Sequence, residues 1–177
     1  MAAVDYFLKI DGIQGESKAD GHMDEIDILS FSWGATQSGT FAAGGGGGAG
    51  KVSMQDFHFT MVHNKASPAL FLACAQGDHI KNAILTCRKE QQEFMTVTMS
   101  DVLVSSFQTG GSGAGDVLPT DQISLNFATI EVEYKEFDAT GKLMGSISAT
   151  SGISAAPESP PPPATKKSFD LKTVKGG

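Results

Sequence analysis

Between Asp24 and Met61 the chain runs DEIDILSFSWGATQSGTFAAGGGGGAGKVSMQDFHFTM, two strand-like runs joined by a long stretch of mostly Gly, Ser, Ala and Thr. Before that stretch, Asp27, Leu29, Phe31 and Trp33 alternate with Ile28, Ser30, Ser32 and Gly34; after it, Phe57, Phe59 and Met61 alternate with Asp56, His58 and Thr60. A period of two marks a strand with one face on a core and the other not. Leu29, Phe31, Trp33, Phe57 and Phe59 are therefore expected to be core residues. The connection far exceeds the roughly two to five residues of ordinary hairpin loops. A loop of that length is expected to have a role of its own.

Two enzymatic motifs come close and fail. Gly45, Gly50 and Lys51 match the start of a phosphate-binding loop, but Val52 stands where a hydroxyl should meet magnesium. The residues after Lys51 also read as a strand, whereas such a loop needs a helix N-terminus. Ser112, in TGGSGAGDVLPTD, lacks the second glycine of a nucleophile elbow because Ala114 occupies it. An elbow also requires a strand-to-helix turn, so no catalytic residue is assigned. Glu131, Glu133, Lys135 and Glu136 alternate with Ile130, Val132 and Tyr134 and read as the solvated face of a strand.

The 177 residues suffice for one core and one domain spanning residues 1–177. A net charge of −7, with Lys and Arg dispersed, argues against a nucleic-acid partner. The opening MAAVDYFLKIDG has no basic segment followed by an apolar one, and no apolar run is long enough to span a bilayer. The expectation is a chain made in the cytoplasm, without membrane insertion, whose export would use a route other than the classical signal. Cys74 and Cys87 sit in apolar surroundings as reduced residues, and His22, His58, His63 and His79 show no ligand spacing. Neither a metal nor another cofactor is expected.

Taken in order, VDYFLKI at residues 4–10 reads as a strand, and residues 65–76 as the one helix, with Ser67 as its N-cap, Pro68 in its first turn and Gly77 ending it. Leu70, Phe71 and Cys74 give that helix its apolar face. Residues 83–89, 94–104 and 123–136 are rich in β-branched and aromatic residues and read as further strands. This is an all-β pattern with one flanking helix, a barrel or two packed antiparallel sheets.

VDYFLKIDGIQGESK, DILSFSWGATQSG, GGGGGAGKVSMQDFHFT, SPALFLACAQGDHI, ILTCRK, VLVSSFQTGGSG and ISLNFATIEVEY together resemble, in the same order, the haemolysin-coregulated protein (Hcp) family of type VI secretion tube proteins. The resemblance implies a tail-tube-like barrel, assembled as hexameric rings that stack into a hollow tube. A contractile sheath expels such a tube, tipped by a spike protein, from a baseplate, and small effectors ride in the ring lumen. A tail-tube subunit of another contractile injection system, or of a phage-like particle, is the nearest alternative. Within that frame the small polar face of Ser30, Ser32 and Gly34 is expected to line the lumen. The glycine loop at 39–51, with Gly44, Gly45, Gly46, Gly47, Gly48, Gly50 and Lys51, is expected to make the contact between stacked rings. Residues 141–167, with their run of prolines, depart from the simplest family pattern and read as an inserted loop. A terminal strand at about residues 168–174 resembles the family's last strand.

Overall fold

The computed structural model describes residues 3–38, 52–115, 117–152 and 170–175, the last through its backbone. Its strands are β1 (Val4–Ile10), β2 (Ile26–Asp27), β3 (Ser30–Ser32), β4 (Ala35–Gln37), β5 (Val52–Met54), β6 (Phe57–Val62), β7 (His79–Lys89), β8 (Gln92–Gly110), β9 (Thr120–Phe137), β10 (Leu143–Gly152) and β11 (Asp170–Lys175). The one helix among the described residues, α1 (Ala66–Gln76), separates β6 from β7.

The strands pair antiparallel, and their neighbours run β9, β8, β7, β1, β2 on one path and β3, β6, β9 on another. The gap between β2 and β3 joins the two paths. Ile28 N–H donates to the Tyr6 carbonyl of β1 at 3.1 Å, and Leu29 N–H, one residue later, donates to the Thr60 carbonyl of β6 at 2.8 Å. Consecutive amides thus serve opposite neighbours, and the chain turns a corner that curls the sheet into a barrel. The corner corrects the uniform alternation expected of residues 27–33. Ile28 is 6% exposed, and Leu29, expected in the core, is 57% exposed. The inward phase resumes beyond the corner, with Phe31 and Trp33 partly buried against the core and Phe57 and Phe59 fully within it.

A second bend crosses three strands at one row. In β7 the buried apolar positions are Ile80 and then Ala83, Leu85 and Cys87; in β8 they are Val97 and Met99 and then Val102 and Val104. A flat strand cannot place positions three apart on one face. The change of phase falls where the ladder skips Lys81, Asp101 and Ala128, between Ile80↔Val102↔Phe127 and Asn82↔Ser100↔Thr129. Asp101 has φ 52, in the left-handed region. That backbone turn swings the β8 side chains by half a period, and β7 and β9 follow.

β9 keeps β8 as one neighbour and changes the other: Thr120–Leu125 pair with β6, and Thr129–Phe137 pair with β10. β10 and β11 therefore continue the sheet past the barrel. Residues 143–152, expected to belong to an inserted loop, are strand. Their small residues, Gly145 to Gly152, carried no apolar alternation because neither face of β10 is deeply buried. The proline run lies outside the described residues.

α1 starts one residue later than expected, and its cap differs. The Asn64 side-chain carbonyl accepts the Ala66 N–H at 2.8 Å, the role expected of Ser67. Ser67 lies inside the helix and is fully buried. Gly77 ends the helix in the left-handed conformation, as its position predicts. Leu70 and Ala73 face the core, whereas Phe71 is exposed, its ring in edge contact with Phe107 at 5.8 Å.

Candidate functional site

The outer face of β3, β6, β9 and β8 carries a continuous polar surface. Ser30 pairs with Thr60, Thr60 with Gln122, and Gln122 with Gln108. One step along, Ser32 pairs with His58, His58 with Ser124, and Ser124 with Ser106. Direct cross-strand partners share a face, so these are two parallel rows across four strands. The interleaved residues point the other way: Phe31, Phe59 and Ile123 belong to the core side. Phe31 stacks on Phe57 at 5.9 Å between centroids and meets Tyr6 edge-on at 5.3 Å. This aromatic layer fixes the register, because a slip of one residue would turn every Phe outward.

Hydroxyls tie neighbouring strands together along each row. Ser30 Oγ and Thr60 Oγ1 lie 2.6 Å apart, and Ser124 Oγ lies 2.5 Å from Ser106 Oγ and 2.7 Å from Ser105 Oγ. Ser105 and Ser106 of β8 both reach Ser124 because the ladder shifts by one residue between Val104 and Ser106. Ser105 Oγ–H also donates to Asp56 Oδ2 at 2.6 Å, and Asn126 Nδ2–H donates to Asp56 Oδ1 at 2.9 Å. The rows enclose a shallow depression of about 360 Å³. The surface is rich in short hydroxyls and amides, and its one carboxylate is already satisfied. Such a wall offers weak, exchangeable hydrogen bonds rather than a reaction centre.

Of the residues expected to share a polar face, Ser30 and Ser32 fall in these rows. Gly34 lies beyond them, where its carbonyl accepts Gln55 N–H at 2.8 Å at the start of a two-stranded arm, β4 with β5. His58, Thr60, Ser106, Gln108, Gln122 and Ser124 join Ser30 and Ser32 on this face and are not singled out by the sequence. The signal was present in the alternation of FHFT and DQISLNF. What it lacked was the pairing of distant strands. The arm holds Gln37 opposite Val52 and so brings together the ends of the glycine stretch. Gly44, Gly45, Gly46, Gly47, Gly48, Gly50 and Lys51 themselves lie outside the described residues.

A second polar cluster is structural. Asp121 is fully buried and receives Ser67 Oγ–H at 2.5 Å, while His63 Nδ1 lies 3.0 Å from its other oxygen. Serine and histidine both bind the carboxylate, and Ser67 Oγ also accepts Asn64 N–H at 3.0 Å. The imidazole meets the carboxylate and not the hydroxyl, so the trio anchors α1 rather than activating a nucleophile. Burial alone would raise the Asp121 pKa; hydrogen bonds from Ser67, His63 and Thr109, with the His63 charge, hold it below the usual carboxylate value.

Ser112, the near-miss nucleophile, is exposed in a strand-to-strand connection and accepts Ala114 N–H at 3.4 Å. Cys74 and Cys87 are free thiols, and burial pushes Cys87 up to about 11. Among the described residues no group of three or more His, Cys, Asp or Glu side chains could hold a metal. No helix among the described residues is long and apolar enough to cross a membrane.

Comparison with known proteins supplies the lineage. The family described as "Type VI secretion system effector, Hcp" matches residues 7–134. Over 143 residues the chain is 49% identical to protein hcp1 of Pseudomonas aeruginosa, covering 78% of this chain and 88% of that one. The crystal structure of Hcp1 from Salmonella typhimurium superposes with a TM-score of 0.71 at 39% identity, over 86% of this chain and 96% of that one. A type VI secretion system effector from Yersinia pestis superposes with a TM-score of 0.70 at 31% identity, over 84% and 100% of the two chains. The barrel, its flanking helix and its extended family match place this chain in the Hcp family of the type VI secretion system.

Proposed function

We propose that the chain is the structural, non-catalytic subunit of a type VI secretion tube: hexameric rings that stack into a hollow tube, are driven out by a contractile sheath behind a spike protein, and carry small effector proteins in their lumen. The protein is made and assembled in the cytoplasm and leaves the cell through the apparatus it builds. Sheath, spike and baseplate proteins are its partners in that apparatus.

The observation that carries this reading is the polar wall of Ser30, Ser32, His58, Thr60, Ser106 and Gln122, mounted on a barrel whose core it leaves intact. A lumen through which folded cargo moves needs a surface that is wet, small and nearly uncharged, so that contacts form and break easily. The β4–β5 arm supports the second half of the reading. It holds the two ends of the glycine stretch side by side, apart from the barrel sheet, where a loop free of side-chain bulk can lie along a neighbouring ring. Ring-to-ring contacts of this head-to-tail kind do not close on themselves and so generate a filament.

Ser32→Gln lengthens one side chain on the wall without touching the core. Rings are expected to form normally and to retain less effector in pull-downs; undiminished retention would move the lumen to another face. Replacing Gly44, Gly46 and Gly48 with Asp should leave hexamers intact and abolish tubes. Tubes of normal length by electron microscopy would remove the glycine loop from the stacking contact.

A further inference from the structure

The segment joining β1 to β2 folds back on itself through backbone bonds, with Ser17 N–H to the Glu25 carbonyl at 3.0 Å and Asp24 N–H to the Ser17 carbonyl at 3.0 Å. Its attachment to the barrel centres on His22, which is 4% exposed. The imidazole stacks on Phe7 of β1 at 4.1 Å between centroids and 5° between planes. Its two nitrogens each meet a carboxylate: Nδ1 lies 2.8 Å from Glu25 Oε2, and Nε2 lies 3.2 Å from Glu93 Oε1 of β8. The Arg88 guanidinium of β7 lies over the same Phe7 ring at 4.7 Å, paired with Asp5 of β1 at 3.4 Å and donating to the Asp20 carbonyl at 3.0 Å.

The chemistry of this arrangement is restrictive. An ionised carboxylate only accepts hydrogen bonds, and a neutral imidazole has one N–H and one lone pair. A neutral ring therefore satisfies one of its two carboxylates and turns a lone pair toward the other. Imidazolium satisfies both. We propose that His22 is a proton-operated latch: doubly protonated, it clamps the segment from Gly15 to Glu25 to β8, and on losing a proton it releases that clamp. The groups facing the ring are Glu25 from its own segment, Glu93 from β8 and Phe7 from β1, with Arg88 and Asp5 beyond Phe7. Glu93 is the partner that departs, because its side chain is 45% exposed against 15% for Glu25. The segment then keeps its internal bonds, the Phe7 stacking, the Arg88 bond to the Asp20 carbonyl and the Lys65–Asp24 pair, loses its tie to β8, and opens more often.

The test is amide hydrogen exchange, corrected for intrinsic rate, on the intact protein from about pH 5 to about pH 8, the span in which histidine changes charge. The Ser17 and Asp24 amides should lose protection severalfold as pH rises, while Val97, in the β7–β8 ladder, keeps its own. Glu93→Gln supplies an amide N–H that bonds to the lone pair of the neutral ring, so it should retain protection at high pH and erase the step. His22→Phe keeps the stacking and should lower protection at every pH. Wild-type protection that does not change with pH, or a step that survives Glu93→Gln, would overturn the latch; a merely structural histidine does not predict the Glu93→Gln result.

Discussion

Gly15 occupies a position that no other residue fits. A Cβ built there would stand 2.3 Å from the Glu25 carbonyl oxygen and 2.7 Å from Ile26 Cα, both backbone atoms of a buried crossing. Gly15→Ala is expected to cost roughly 2 to 3 kcal/mol, as forced overpacking does, read as a lower urea midpoint; an unchanged midpoint would mean the crossing is loose. Glu90 and Gln91, with φ 55 and 81, make the opposite case. They form the two-residue turn between β7 and β8 in a conformation that suits Asn-Gly and strains side-chain-bearing residues. The pair Glu90→Asn and Gln91→Gly should raise stability by about 1 kcal/mol, and a fall in melting temperature would contradict it. At this scale the sequence was legible where one residue's neighbours are local: Gly77 as the helix stop, Phe57 and Phe59 in the core. It was not legible at Leu29, whose exposure follows from β2 and β3 choosing different partners. Nor was it at Ser67, whose hydroxyl is claimed by Asp121 from a distant strand.

Among elements, α1 depends on that buried carboxylate. Removing its acceptor oxygens by Asp121→Ala strands the Ser67 hydroxyl in a dry site and should destabilise the fold by roughly 3 kcal/mol. Because the folded Asp121 titrates below its ordinary range, the stability it contributes is present above the unfolded aspartate pKa, about 4, and is lost as pH falls through the lower folded value. Acid unfolding monitored by circular dichroism should therefore be less steep in Asp121→Asn than in the wild type below about pH 4, and identical slopes would remove Asp121 from the acid transition. The strands themselves were readable from β-branched and aromatic runs, although β8 and β9 extend further at both ends than their alternation suggested. The phase changes at Lys81, Asp101 and Ala128 interrupt the period without ending the strands. β10 escaped notice because its mostly small residues, with Ile147 the lone large apolar one after Met144, lack the apolar beat that marks a half-buried face.

The whole molecule is a barrel with one polar, nearly uncharged wall, an arm that gathers the ends of a glycine loop, and a sheet that runs on through β10 and β11. The class of fold followed from strand periodicity, and the lineage from motifs that keep their order along the chain. The wall was half legible: Ser30 and Ser32 stood out in one strand, but the six partners that complete the rows depend on which strands lie side by side. In the proposed assembly each feature has a use: the wall faces cargo and the arm meets the next ring. The mass of the purified protein by light scattering after size exclusion tests that central claim most directly. A particle of six times the 18.5 kDa chain mass is expected, and a monomer that persists at high concentration would contradict it.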